Sequence, residues 1–191
     1  MIANGDIDFA ISTSHHGFDE LVYTPLFEDR YGVICAASYP YAQGAKPLKW
    51  ADLDPAEYVG FTEDTGIGAF LRAHAGKPGF FEQQHDEVSR TSSLHAVLRG
   101  GGRYSILPAL AASSIAPPQT RGSEPGSFVF RELSSPRLSR EVCLITRRLR
   151  SLSASSELFL QYMRDVINEK PVPAGVKVSG KRPRKAASAG V

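Results

Sequence analysis

The chain has 191 residues, 42% hydrophobic and 22% charged, with two cysteines and a formal net charge of +2. That is ordinary globular composition, long enough for one or two compact lobes, and two cysteines exclude a disulfide framework. No run approaches the ~18 apolar residues of a membrane span, and "MIANGDIDFAIS" has no basic start, so neither a membrane segment nor a signal peptide is read.

The net charge is unevenly placed. Six of the 22 basic residues (Lys170, Lys177, Lys181, Arg182, Arg184, Lys185) lie after position 169, with no acid among them. Residues 1–169 therefore hold 16 bases against 20 acids, a net of −4. A mildly acidic body does not suit a nucleic-acid surface, where bases cluster on the fold to meet phosphates. The cytoplasm is the expected location.

In chain order, "GDIDFAIS" alternates, with Ile7, Phe9 and Ile11 on one face, and predicts a strand after a Gly5 turn. "YGVICAAS", Tyr31 to Ser38, is apolar on both faces and predicts a buried strand of an α/β sheet. A loop with a short helical turn at Trp50–Leu53 leads to a strand at Glu57–Phe61. "TGIGAFLRAHAG" spaces Ile67, Phe70, Leu71 and His74 as a helix that Gly76 can end. "DEVSRT" predicts a strand. "SSLHAVLRGG" predicts a helix with a serine available as N-cap. "RYSILP" is a strand, and "LPALAA" starts a helical turn after Pro108. Pro117–Ser127 reads as a loop, and "FVFREL" and "REVCLIT" as strands. In "SASSELFLQYMRDVINE", Leu158, Phe159, Tyr162, Met163, Val166 and Ile167 form one helical stripe. Residues 170–191 turn to Pro, Gly, Ala, Lys and Arg and predict a disordered basic tail. Alternating strands and helices make the fold class α/β.

The three glycines Gly100–Gly102 invite a nucleotide reading, which their order refutes. A dinucleotide fingerprint runs strand, glycines, helix, whereas here the order is helix, glycines, strand. No Gly-Lys-Ser/Thr opens a helix. The glycines predict a helix end and a tight turn into a buried strand.

"EVSRTSSLHAVLRGGGRYSILPALAA" resembles the strand–helix–turn–strand block of LysR-type transcriptional regulators. "ANGDIDFAI", "PLFEDRYGVICAASYPYA", "PLKWADLDPAEYVGF" and "ELSSPRLSREVCLITRRLRSLSASSELFLQYMRDVI" resemble further blocks of that family in the same order, covering about residues 4–168. The second glycine of the family turn falls on Arg103, so the turn is expected one residue earlier.

The resemblance implies a two-lobe, type 2 periplasmic-binding-protein-like effector domain, with lobe I about 1–37 and 143–169 and lobe II about 38–142. The family's helix-turn-helix, and the strand–helix–strand unit expected before Asp8, have no counterpart here, so the first lobe is expected to be incomplete, with an open edge and bare apolar surface. The implied function is sensing a small-molecule effector, an organic anion by the chemistry of the cleft. DNA would be reached only through the absent N-terminal domain. Homo-oligomers occur in the family, and no membrane partner or cofactor is expected. A transport solute-binding protein shares the fold but should carry a signal peptide or lipid-anchor cysteine.

Strand ends and helix starts should line the cleft, because helix N-termini offer free N–H groups to anions. The resemblance implies effector contacts from Ser12 and Thr13 in lobe I, and from Thr62, Thr65, Gly66, Ser92 and Ser93 in lobe II. Each hydroxyl could instead merely cap a helix. His15–His16 and the other histidines lack metal-ligand spacing, and no metal site is read. No Ser/His/Asp set or Gly-x-Ser-x-Gly appears, so no enzyme is read. The resemblance puts the two crossings between the lobes at Tyr31–Ser38 and Glu141–Thr146, which carry Cys35 and Cys143, as buried thiols or as a redox pair.

Overall fold

The computed structural model describes residues 2, 6–14, 18–44, 46–74, 78–84, 86–115 and 127–180. His15–His16, Gly76, most of the Pro117–Ser127 loop and the Lys181–Lys185 run lie outside them. The strands are β1 (Phe9–Thr13), β2 (Leu21–Ala36), β3 (Leu48–Lys49), β4 (Val59–Phe61), β5 (Asp86–Val88), β6 (Tyr104–Pro108), β7 (Phe128–Ser134), β8 (Ser139–Arg147) and β9 (Val176–Val178). The helices are α1 (Gly66–His74), α2 (Thr91–Arg99), α3 (Ala109–Ile115) and α4 (Ala154–Glu169). A 3-10 turn at Trp50–Asp52 stands where the short helical turn was expected.

The chain divides into two compact units. The smaller comprises 1–28, 141–172 and 177–191, and the larger 29–140 and 173–176. The first change of unit thus falls at 28/29 rather than near 37. The reason is pairing: Tyr31–Cys35 of β2 lie antiparallel to Tyr104–Pro108, and Gly32–Ala36 to Phe128–Glu132, all within the larger unit.

In the larger unit every residue of β6 is buried, Ser105 included, beside the apolar Ile106 and Leu107. One core gathers Tyr31, Val33, Trp50, Tyr58, Leu71, Phe80 and Tyr104; a second gathers Ile34, Val59, Leu94, Leu98, Leu107 and Phe128. Two of the polar tips in the first core have backbone partners. Trp50 Nε1 donates to Pro136 O at 3.2 Å, and the Tyr104 hydroxyl to Asp54 O at 2.8 Å. Gly101 and Gly102 take φ of +73° and +70°, so the turn into β6 uses the left-handed region at both and spares Arg103.

In the smaller unit β1 pairs antiparallel with β8, Phe9 opposite Thr146 and Thr13 opposite Val142. Leu160 of α4 packs on Leu26 of β2 and Leu144 of β8. Ser153 caps α4 by accepting the Ser156 N–H, and the Asp8 carboxylate accepts from both serine hydroxyls. Those hydrogen bonds hold the exposed Asp8 carboxyl below the ordinary range.

Two expectations need correction. The six-residue α4 stripe does not face the core as a block: Met163, Val166 and Ile167 are half-buried, Leu158, Phe159 and Tyr162 are exposed, and the buried residue is Leu160, outside the stripe. The apolar arc is wider than the face the sheet can cover. Nor are residues 170–180 a disordered tail. Residues 173–176 join the larger unit, where Arg30 N–H donates to Gly175 O at 2.9 Å, and β9 pairs with β2. Val172, Val176 and Val178 supply an apolar alternation in a stretch otherwise read by its prolines and lysines.

Cys35 lies in the larger unit and Cys143 in the smaller; both are buried and neither is in a disulfide. Burial pushes the Cys35 thiol up from 9.0 to about 12, and burial with the nearby Glu141 pushes Cys143 to about 11. The thiolate is the nucleophile, so at pH 8 Cys35 has roughly a thousandfold less of it than an ordinary thiol. Both native thiols are expected to label slowly, with both reacting within minutes in denaturant. Fast labelling of the native protein would show that the strands carrying them are not buried.

Candidate functional site

The larger unit places two helix starts side by side. β4 and β5 run parallel, with Phe61 opposite Val88, and the ladder continues through Thr62 N–H, which donates to Val88 O at 3.1 Å. Both strands therefore end at one level, and each is followed within a few residues by a helix, α1 after β4 and α2 after β5. Parallel strands with helices beyond their carboxyl ends form the usual crevice for a small ligand in α/β folds.

The approach of α1 depends on Gly68. A Cβ there would lie 2.2 Å from Thr62 O and 2.6 Å from Phe61 O. Arg72, one turn on, donates to Phe61 O at 3.1 Å and pairs with Glu87 of β5. The start of α1 is thereby pinned to the ends of both strands. Its cap is Thr65, whose hydroxyl donates to Thr62 O at 2.7 Å and accepts Gly68 N–H at 3.0 Å. That hydroxyl is committed to the turn, as is Thr65 N–H, which donates to Thr62 O at 3.0 Å, and what this helix start can offer a ligand is the Gly66 backbone N–H. The Thr62 hydroxyl differs: its oxygen is buried and has no hydrogen-bond partner among the described residues.

At α2 the expected serine cap is not what forms. The helix begins at Thr91, its N-cap is Arg90, and no side chain caps it. Ser92 and Ser93 occupy the second and third helical positions and are exposed. The serine run fits the cap rule at several registers, and the strand end at Val88 selects the one that puts Arg90 at the cap. The first turn of α2 thus presents uncapped N–H groups and a cluster of hydroxyls. Arg90 stands at that helix start, beyond the strand, which ends at Val88, and the resemblance implies no effector contact from it. It is exposed and forms no ion pair among the described residues. The signal for it was in the sequence: a lone arginine directly before three hydroxyl residues.

Ser12 and Thr13 are the last two residues of β1, in the smaller unit, opposite Cys143 and Val142. Ser12 is exposed and Thr13 half-buried.

Comparison with known proteins matches this frame. The family model described as LysR substrate binding domain covers residues 1–168. A Shigella flexneri protein described as HTH-type transcriptional regulator YfeR is 25% identical over 164 residues, 86% of this chain. The chain spans about half the length of that relative, 50%. Among solved structures, the reduced OxyR regulatory domain of Pseudomonas aeruginosa superposes with a TM-score of 0.62 at 18% identity, over 87% of this chain and 74% of that one. The CcmR regulatory domain of Synechocystis PCC6803 in complex with 2-PG gives 0.65 at 16% identity, over 90% and 78%. The effector binding domain of QuiR in complex with shikimate gives 0.60 at 14%, over 90% and 77%. These likenesses show a shared α/β fold, and the family match shows descent: the chain belongs to the LysR substrate-binding-domain family.

Proposed function

We propose that this domain senses a small organic anion, held at the carboxyl ends of β4 and β5, as the effector of a cytoplasmic LysR-type regulator. The observation that carries the reading is the pair of helix starts beside those in-register strand ends, one of them without a side-chain cap. Uncapped N–H groups and a partial positive charge favour a carboxylate or phosphate over a cation. Thr62, Ser92 and Ser93 supply hydroxyl donors, Gly66 a backbone N–H, and Arg90 a countercharge, while Thr65 holds the turn that presents them. The part assigned to Ser12 and Thr13 rests on the family resemblance alone. The solved relatives bound to 2-PG and to shikimate support an anionic ligand class.

A thermal-shift screen of organic acids, sugar phosphates, neutral sugars and polyamines tests the reading. A ligand at 100 times its Kd stabilises by about 2.7 kcal/mol, several degrees in Tm for a chain of this size. Stabilisation by at least one anion is expected, weakened roughly tenfold in affinity by Ser93→Ala or Arg90→Gln. Stabilisation by cations or neutral sugars alone would overturn the assignment.

A further inference from the structure

In the larger unit, β7 has a strand on only one edge for most of its length. Phe128–Glu132 pair with Ala36–Gly32 of β2, while on the other edge β3 reaches only Leu133 and Ser134. Register shows which backbone groups this leaves open. Ala37 N–H donates to Ser127 O at 2.9 Å, so the bonded pairs further along the antiparallel ladder are Cys35–Val129 and Val33–Arg131. The N–H and C=O of Phe128 and Phe130, and the N–H of Glu132, therefore point to the edge without a strand. No hydrogen bond reaches them from another described residue.

Beside this edge lies a cavity of about 300 Å³, lined by Gly44, Lys46 and Pro47, by Val129–Glu132 and by Ala174. All of these residues belong to the larger unit. The wall before β3 is held in advance: the Arg131 guanidinium donates to Tyr41 O at 3.1 Å and also to Gln43 O and Lys46 O. A ligand entering there has less chain to order. The cavity is also electropositive. Glu132 is matched by Arg30 at 2.9 Å. Arg131 is bound to neutral carbonyls, Lys46 is exposed, and neither has a carboxylate partner among the described residues.

We propose that an extended acidic peptide segment of a partner protein docks here, adding to the open edge of β7 as a neighbouring strand. Its amides pair with Phe128, Phe130 and Glu132, and its carboxylates lie beside Lys46 and Arg131. The edge is five residues, about 17 Å, and takes a segment of about that many residues. A peptide suits it better than a lone carboxylate, because N–H and C=O alternate along the edge. Each carboxylate oxygen brought to an N–H would face a neighbouring carbonyl, whereas a peptide answers donor with acceptor along its whole length. Main-chain pairing then supplies affinity, and the two unmatched cations select for acid. The site shares no residue with the candidate effector site, so it is independent of the anion reading.

Titration of the isotope-labelled 191-residue chain with acetyl-Val-Glu-Val-Glu-Val-amide, followed by NMR, tests the proposal. Saturable shifts and slowed hydrogen exchange are expected at the Phe130 and Glu132 amides. The Val129 and Arg131 amides, already bonded to β2, should keep their protection. The same peptide with lysine for glutamate, or with every amide N-methylated, should bind roughly tenfold more weakly or worse. Lys46→Glu should weaken binding by a similar factor, since the group of Lys46 that holds the wall is its carbonyl, not its side chain. Lys170→Glu, in the smaller unit, should leave binding unchanged. Should Lys46→Glu fail to fold, the lysine peptide on the unaltered chain decides. No saturable shift, shifts centred on Gly66, Ser92 and Ser93, or equal binding of the lysine peptide would each overturn the proposal. So would N-acetylglutamate binding as tightly at the same amides, which would make this a small-molecule site.

Discussion

Replacing Asp29 with alanine is expected to destabilise the protein by about 3–5 kcal/mol, the cost of breaking a buried ion pair from one side. Asp29 is the one charged residue among the described residues with no exposure at all. Its Oδ2 accepts from Arg140 Nε at 3.0 Å, with Arg140 Nη2 also at 3.0 Å, and its Oδ1 accepts Leu110 N–H at 3.0 Å in the first turn of α3. One carboxylate thus ties the first residue of the larger unit to that unit's last residue before 141, and anchors a helix start as well. The two halves of the pair differ in a way that can be measured. The Arg140 side chain is 24% exposed and can recover some hydration when Asp29 is lost. Asp29 has no such route, so Arg140→Ala should cost at least as much as Asp29→Ala. Asp29→Asn keeps an oxygen for Leu110 N–H and should cost less than either. Urea denaturation at equilibrium reads all three. A cost below about 1 kcal/mol for Asp29→Ala, the range of exposed pairs, would show that the pair is solvated.

The second large effect is expected at Gly68. Alanine there drives a methyl into the carbonyl oxygens of Thr62 and Phe61, which are backbone atoms and cannot swing aside. Helix α1 must lift off β4, at a cost of about 1–3 kcal/mol or more. Gly66, two residues earlier, is the control. Its Cβ would meet nothing within 4 Å, and Gly66→Ala should be neutral or stabilising by up to about 1 kcal/mol through the unfolded chain. The two variants should also separate in ligand response. Gly68→Ala displaces the start of α1 and should lose the anion-induced rise in Tm, whereas Gly66→Ala keeps the backbone N–H and should retain it. Equal stability of the two would mean that α1 does not press on the ends of β4 and β5.

The difference between these two glycines is invisible in the sequence, where both sit in "TGIGAF". What can be read is what burial writes into residue type. Tyr31–Ala36 is apolar on both faces and is the buried strand it promises to be, and Tyr104–Pro108, apolar but for Ser105, is buried throughout. Residues 21–30 of β2 escape that reading because Pro25, Glu28, Asp29 and Arg30 interrupt the pattern, and the pairing that excuses them comes from segments over a hundred residues away. Asp29 is the sharpest case, since a lone acid reads as solvent-facing and only Arg140 and Leu110 N–H make its burial affordable. In α4 the periodicity announces a helix but cannot say which part of a broad apolar arc meets the sheet. At the candidate site, strand ends and helix starts were legible as a pattern. The division of labour was not: Thr65 turned inward as a cap, Ser92 and Ser93 left open, Arg90 at the cap position.

The passage of residues 173–178 beside β2 separates two boundaries that are often treated as one. The family match ends at 168, but the fold has not yet closed there. Gly175 sits so tightly that an added Cβ would lie 2.9 Å from the Phe130 ring and 3.0 Å from Ala109. Ser179 N–H donates to Leu26 O at 2.9 Å, in the other unit from the Arg30–Gly175 bond. The stretch shared by descent is therefore shorter than the stretch that holds together mechanically. A piece cut to the homologous limit would shed the cover of Phe130 and strip an acceptor from Arg30 N–H, so the smallest self-sufficient fragment runs about a dozen residues past the point where ancestry stops being recognisable.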